Sequence, residues 1–487
     1  MYGDEVGTVA DEEPIASIDP TDFRLHNALV PRPTPEIISP KEAETSNMRY
    51  FPISLLRTTK IPLEFFQTFS LVPSLNRHFI EASVTGALSS TFELPPINTR
   101  LLATAITAPM SQVGYDYQSL EFVGDAALQL ATSVHGFLQH PKADEERLSI
   151  LRSNSVDNRF LRRFALECGL SKFLLPHLLR PTTFVPETSD DATQSEDGLL
   201  ITKTIGRRLL SDTLEALLGA TVINSGFNGA MHVTARLGLC TGGTVPWSER
   251  EPAQALLDVP RTRAGSGLQH LEAAIGYSFQ TQGQLLRRAL THRSWVEDSG
   301  CYEREEFLGD AILEWWATTR LYALGPDAPP SALTFARALL VSSGALALIG
   351  CRKLELHKCI LHSSPVLEAA LHEAAEQAQQ YSFEQVVQGD LTFLWSPPKV
   401  SWTCYSLRRP CMTDSAFADQ VISDVVEAIL AAVFIDAGFQ LEPVLQVLDR
   451  LFADIMPHVV LTTEVRDPYS RFLMLLDSLA CKSLSVK

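Results

Sequence analysis

From about residue 98 onward, apolar residues recur at three- and four-residue intervals in long runs, and the runs come twice in the same order. RLLATAIT, YQSLEFVGDAALQLATSVHGFLQH, ERLSILRSNSVDNRFLRRFALECGL and RRLLSDTLEALLGATVINSG each carry the stripe of an amphipathic helix. HLEAAIGYSF, GQLLRRALTHRS, EREEFLGDAILEWWATTRLYAL, FARALLVSSGALALIG and QVISDVVEAILAAVFIDAGF repeat the series. LEPVLQVLDRLFADIMP then adds a further helix. Alternating apolar and polar runs are sparse, so both copies are predicted to be all-α. Gly226 is placed to stop the last helix of the first copy.

The pattern divides the chain into an acidic tail and extended connector at 1–45, a helical lead-in at 46–97, a first repeat at 98–240, a linker at 241–266, a second repeat at 267–456 and a helical tail at 457–487. PRPTPEIISP at 31–40 cannot be helical, because each proline removes a donor and restricts its neighbour. PTTFVPETSDDATQSEDG at 181–198 has the composition of a solvated loop, and the second repeat's extra length is expected around 392–413.

Acidic residues interrupt the apolar runs at fixed places. Glu121 and Asp125 lie four apart, as do Glu306 and Asp310; Asp212 and Glu215 lie three apart, as do Asp424 and Glu427. On helices each pair shares a face, so two helices per repeat can present four carboxylates to one another. Their neighbours are Phe, Leu, Ala and Ile, which belong in a core. Crowded like charges repel unless a cation joins them, and hard oxygen ligands suit Mg²⁺ or Mn²⁺. Such a site fits two-metal phosphoryl chemistry. By spacing alone it also fits an all-helical nucleotide pyrophosphatase holding Mg²⁺ against a triphosphate. Gly124 and Gly309 cost about 1 kcal/mol each inside a helix, which a close approach of a neighbouring helix or of substrate backbone would explain.

Composition narrows the choices. A length of 487 residues with 45% apolar content allows two to four domains with sizeable cores. The net charge of −17 argues against a broad basic surface, although seven acidic residues precede the first basic one, Arg24. Eight scattered cysteines indicate neither a zinc site nor a disulfide framework and fit a reducing compartment, cytoplasmic or nuclear. No apolar run approaches a membrane span; the nearest is 339–350.

The stretches YQSLEFVGDAALQL with SDTLEALLGATVINSG, and ALTHRS, YEREEFLGDAILEWW with SDVVEAILAAVFIDAGF, resemble the signatures of ribonuclease III domains. Two in tandem resemble the nuclease half of a fungal Dicer-like protein. The resemblance implies an intramolecular pseudo-dimer that cuts double-stranded RNA in a shared valley, one strand at each centre. It implies 5′ phosphates and two-nucleotide 3′ overhangs, two Mg²⁺ or Mn²⁺ ions per centre, and a setting in RNA silencing or antiviral defence. The family's metal and catalytic ligands fall on Glu121, Asp125, Asp212 and Glu215, and on Glu306, Asp310, Asp424 and Glu427. Candidate phosphate contacts are Arg152, Arg159, Arg208 and Arg293, with Arg162, Arg163, Arg287, Arg288 and His292 as further basic positions.

The chain departs from the pattern at several places. Gln118 and Ser119 stand where the family has Glu-Arg, and Gln420 stands where second domains often have Lys, against Arg208 in the first. The Asn of the family's LVSN-like stretch is read as Asn154 in the first repeat and is Ser343 in the second; Ala431 replaces a Gly. No helicase motif, complete PAZ domain or full double-stranded-RNA-binding domain is recognisable, so a truncated Dicer relative, or a monomer whose protein partner supplies those functions, is expected. The competing expectation is a catalytically weak or inactive scaffold that binds double-stranded RNA.

Overall fold

The computed structural model describes residues 71–111, 113–175, 208–239, 241–257, 268–279, 283–296, 300–384 and 414–461, isolated positions between 62 and 69, and two short strands. The 181–198 loop, the 392–413 surplus, the 31–40 connector and the tail beyond 461 lie outside the described residues.

In the first repeat, α1 (Val72–Thr91) leads into α2 (Thr99–Ala105), α3 (Gln118–Gln139), α4 (Glu145–Val156), α5 (Asn158–Glu167) and α6 (Leu209–Leu237). Asp144 and Asp157 accept backbone hydrogen bonds as N-caps of α4 and α5, which fixes the break between them. Leu102, Ile106, Leu128, Leu161, Leu210 and Leu214 fill a core between α2, α3, α5 and α6, with Leu88 of α1 joining it. A buried carboxylate also ties α1 down: Glu81 accepts from Arg77 at 2.6 Å and from the Tyr115 hydroxyl at 2.5 Å.

The second repeat follows α7 (Glu251–Leu257) and runs through α8 (Gln269–Ile275), α9 (Gly283–Ala289), α10 (Glu303–Leu324), α11 (Pro330–Leu340), α12 (Ser343–Arg352), α13 (Pro365–Ala378), α14 (Asp414–Asp436) and α15 (Leu441–Leu451). Both repeats form the same isolated parallel bridge, Thr107 with Leu175 and Thr291 with Leu361, so the duplication extends beyond the helices. Helices α3 and α10 pack together, and Phe122, Leu130 and Phe137 share one buried cluster with Phe307, Ala311 and Trp315. The two all-α repeats therefore meet through a continuous core, as a pseudo-dimer within one chain.

Several local expectations change. Gly226 does not end α6: it breaks the helix with φ 71°, and the helix resumes to a stop at Gly238, φ 83°. The resumption pays through Phe227, which packs on Trp247 and Trp315 at 5.3 and 5.1 Å between ring centroids. The 241–257 part of the linker is thus interface rather than tether, and buried Arg250 binds the carbonyls of Thr241, Gly243 and Val245. Arg49–Pro52, read as part of a helical lead-in, is a strand antiparallel to Ile15–Ile18; alternation is too short there to register. The apolar stretch 339–350 spans a 41° bend between α11 and α12, and no single described helix is long and apolar enough to cross a membrane.

Arg304 clamps the repeats. Its guanidinium donates to the carbonyls of His140 at 2.8 Å, Ala143 at 2.7 Å and Phe137, and lies over the Phe137 ring. It thereby caps the carbonyl end of α3 from the opposite repeat. Ser119 occupies the equivalent first-repeat position, so the first repeat has no arginine there to make the reciprocal clamp. Arg304→Ala is expected to lower stability by about 2 kcal/mol, read as a shifted urea midpoint; an unchanged midpoint would contradict the clamp.

Candidate metal centres

Leu120, Val123, Ala127 and Leu130 bury one face of α3, leaving Glu121 and Asp125 one turn apart at the edge of that face. On α6, Leu210, Leu214, Leu217 and Leu218 do the same for Asp212 and Glu215. The two helices touch where Gly124 lies against the Glu215 backbone and Gly219 against that of Leu120. That backbone contact brings a carboxylate oxygen from each of Glu121, Asp212 and Glu215 within 4.8 Å of the others. In the second repeat Gly309 lies on the Glu427 backbone, and Glu306, Asp424 and Glu427 converge in the same way.

Asp125 and Asp310 stand outside these convergent trios. Gln129 donates to both oxygens of Asp125 at 3.1 Å. Asp310 accepts from Arg152 at 3.0 Å, a residue from the other repeat. Tyr117 and Ser211 hold Asp212 at 3.2 and 3.1 Å. The second centre replaces this pair by Tyr302 at 3.4 Å and Gln420 at 2.6 Å from Asp424.

Burial and mutual repulsion act in the same direction. Burial first, then Asp212 and Asp125, push Glu121 up to about 7, against a downward pull from Arg208. Burial and the same cluster push Glu215 up to about 9. Glu306 rises to about 9 through burial, Asp424 and Glu145. These carboxyls hold protons in the fold that they release when unfolded, since their ordinary value is 4.5. Their contribution is thus most favourable at low pH and is lost as pH rises toward 7 and then 9. The metal-free chain is expected to melt at progressively lower temperature from about pH 6 to 9, where ordinary carboxylates are already ionised. Mg²⁺ or Mn²⁺ should flatten that profile, because an ion displaces the protons and cancels the repulsion. A flat metal-free profile would show that the carboxylates do not crowd one another.

An open cavity of about 500 Å³ lies over the first trio, walled by Tyr117, Asn158 and Arg208 on one side and by Pro330, Thr334 and Arg337 of the second repeat on the other. Asn158, the first residue of α5, lines it, whereas Asn154, one turn earlier on α4, is exposed and lies off the wall. Asn158 matches Ser343, the first residue of α12, so the motif's register is set by where the next helix begins. Among the sequence-predicted basic residues, Arg208 reaches the wall, Arg159 is exposed, and Arg293 sits 3.7 Å from Glu303. Arg152 is engaged by Asp310. Gln129, Glu314, Tyr117 and Tyr302 were not predicted from sequence, although each lies one turn from a candidate carboxylate.

A ribonuclease III domain model matches residues 118–226 and 303–438, together half of the chain. "Protein Dicer" of Schizosaccharomyces pombe is 27% identical over 451 residues, covering 91% of this chain and 31% of that protein. "Dicer-like protein 2" of Coccidioides immitis is 26% identical over 419 residues, covering 80% and 28%. A solved structure of Giardia Dicer aligns with 94% of this chain and 73% of its own at 14% identity, with a TM-score of 0.47. The chain spans less than a third of the length of these curated relatives.

Proposed function

The chain belongs to the ribonuclease III family, and from that premise we propose that it is an endoribonuclease cutting double-stranded RNA, one strand at each carboxylate centre. The observation that carries this reading is the duplicated convergence of three carboxylates within 4.8 Å, too crowded to be ionised together without a cation. A hard oxygen donor set of this kind fits Mg²⁺ or Mn²⁺. Glu121, Asp125, Asp212 and Glu215 would hold ions in one centre, and Glu306, Asp310, Asp424 and Glu427 in the other. Bound divalent ions supply Lewis-acid activation of water and neutralise charge at the phosphate. The chain's own groups do the positioning: Tyr117 and Ser211 fix the two oxygens of Asp212, and Gln420 and Tyr302 those of Asp424. Arg208 lines the cavity wall, which supports a role for it in meeting a phosphate.

The same proposal includes a monomer paired internally, repeat limits of 98–240 and 267–456, 5′ phosphates with two-nucleotide 3′ overhangs, and a role in RNA silencing with a protein partner setting product length. End-labelled long duplex RNA incubated with the purified chain and Mg²⁺ at neutral pH tests it. Staggered short duplexes are the expected result. Duplex bound but uncut with either ion would point to a scaffold, and hydrolysis of free nucleoside triphosphates to a pyrophosphatase.

A further inference from the structure

The two centres are built alike, yet their first-helix aspartates are held differently. One turn beyond Asp125, Gln129 supplies an amide donor from the same helix. One turn beyond Asp310 the residue is Glu314, which has no donor when ionised. Asp310 accepts instead from Arg152, on α4 of the first repeat, at 3.0 Å. The same guanidinium lies over the Phe307 ring, 4.9 Å from its centroid, so ring and carboxylate fix it together.

Arg337 is the counterpart of Arg152: each stands six residues before the first residue of the next helix, Asn158 or Ser343. It lies over Phe122, the counterpart of Phe307, at 4.7 Å. Its charge, however, is taken by Glu314 at 3.2 Å, with Thr318 also at 3.2 Å. The crossing is reciprocal in stacking and one-sided in charge. A single difference, Gln129 against Glu314, accounts for that asymmetry.

We propose that Arg152 is a positioning residue of the second centre, reaching it from the first repeat and holding Asp310 in place for a divalent cation. Gln420, where the first centre has Arg208, is neutral and bound to Asp424, so the closing helix gives the second centre no cation at that position. Arg152 engages one oxygen of Asp310, Oδ2, which leaves Oδ1 for an ion. The second centre is therefore complete only when the repeats are docked, whereas the first draws Asp125's partner from its own helix. This inference rests on the reading of two divalent-cation centres given above.

Arg152→Met keeps an unbranched apolar side chain beside Phe307 and removes the guanidinium fork; Arg152→Lys keeps the charge. Mn²⁺ binding to the metal-free chain, followed by electron paramagnetic resonance, should show Arg152→Met weakening one class of site about tenfold or more and sparing the other. Arg152→Lys should recover most of the loss. In strand-resolved cleavage, the Mg²⁺ concentration for half-maximal rate should rise in Arg152→Met only on the strand that Glu427→Gln leaves uncut. Unchanged Mn²⁺ binding, or equal weakening at both centres, would overturn the proposal. If the wild-type chain binds Mn²⁺ but cuts no RNA, the nuclease reading fails while the Mn²⁺ comparison still decides the role of Arg152.

Discussion

Glu427→Gln is expected to turn a double-strand cutter into a nicking enzyme, slowing one strand on the order of 10³-fold while the other is cut at the wild-type rate. Glu215→Gln should spare the strand that Glu427→Gln loses. The substitution changes little in shape and removes the charge on which a cation depends. Stability should move the opposite way. Glu215 is buried at 7% exposure and pushed up to about 9, so its ionisation at high pH destabilises the metal-free fold. Glutamine cannot ionise, so Glu215→Gln should melt above wild type at pH 9 and close to it at pH 6. Loss of function with gain of stability is what separates a ligand from a packing residue. Equal slowing of both strands by one substitution would show that the centres are not independent.

Much of this architecture was legible because it rests on local spacing. Glu121 with Asp125, and Asp212 with Glu215, share helix faces by the 3.6-residue period alone, and apolar neighbours place those faces near a core. Repetition of the whole pattern at Glu306 and Asp424 turned spacing into an architecture. Decisions made by tertiary contact were not legible. Gly226 reads as a helix stop because glycine favours positive φ, and it does adopt φ 71°, but burial of Phe227 restarts the helix. Asn154 and Asn158 are indistinguishable until the start of α5 is known. Asp125 and Asp310 stand just outside the trios, held by Gln129 in one case and by a residue of the opposite repeat in the other. Spacing within a helix can suggest the first; nothing in local sequence predicts the second.

The same substitution should act in opposite directions at two glycines. Gly309→Ala places a Cβ 1.8 Å from the Glu427 carbonyl oxygen and 2.4 Å from its carbonyl carbon. Both obstructing atoms are backbone, so no rotamer relieves the overlap and α10 and α14 must separate. Alanine's helix propensity returns about 1 kcal/mol, and ordinary overpacking costs about 1–3 kcal/mol. Backbone against backbone belongs beyond that range, at about 4 kcal/mol, a large part of the ~5–15 kcal/mol that holds a domain together. Gly124→Ala meets the Glu215 carbonyl oxygen at 1.7 Å and should behave alike in the first repeat. Gly86 on α1 has nothing within 4 Å of its added Cβ, so Gly86→Ala should stabilise by up to about 1 kcal/mol through propensity alone. The contact that Gly309 permits is with the backbone of Glu427 itself, so whatever folded chain Gly309→Ala retains should also bind Mn²⁺ more weakly at the second centre. Urea midpoints that rise for Gly86→Ala and fall steeply for Gly309→Ala would establish that the helix crossing, and with it the spacing of the carboxylates, is set by the missing side chain. A Gly309→Ala chain with the wild-type midpoint and wild-type Mn²⁺ binding would rule that crossing out.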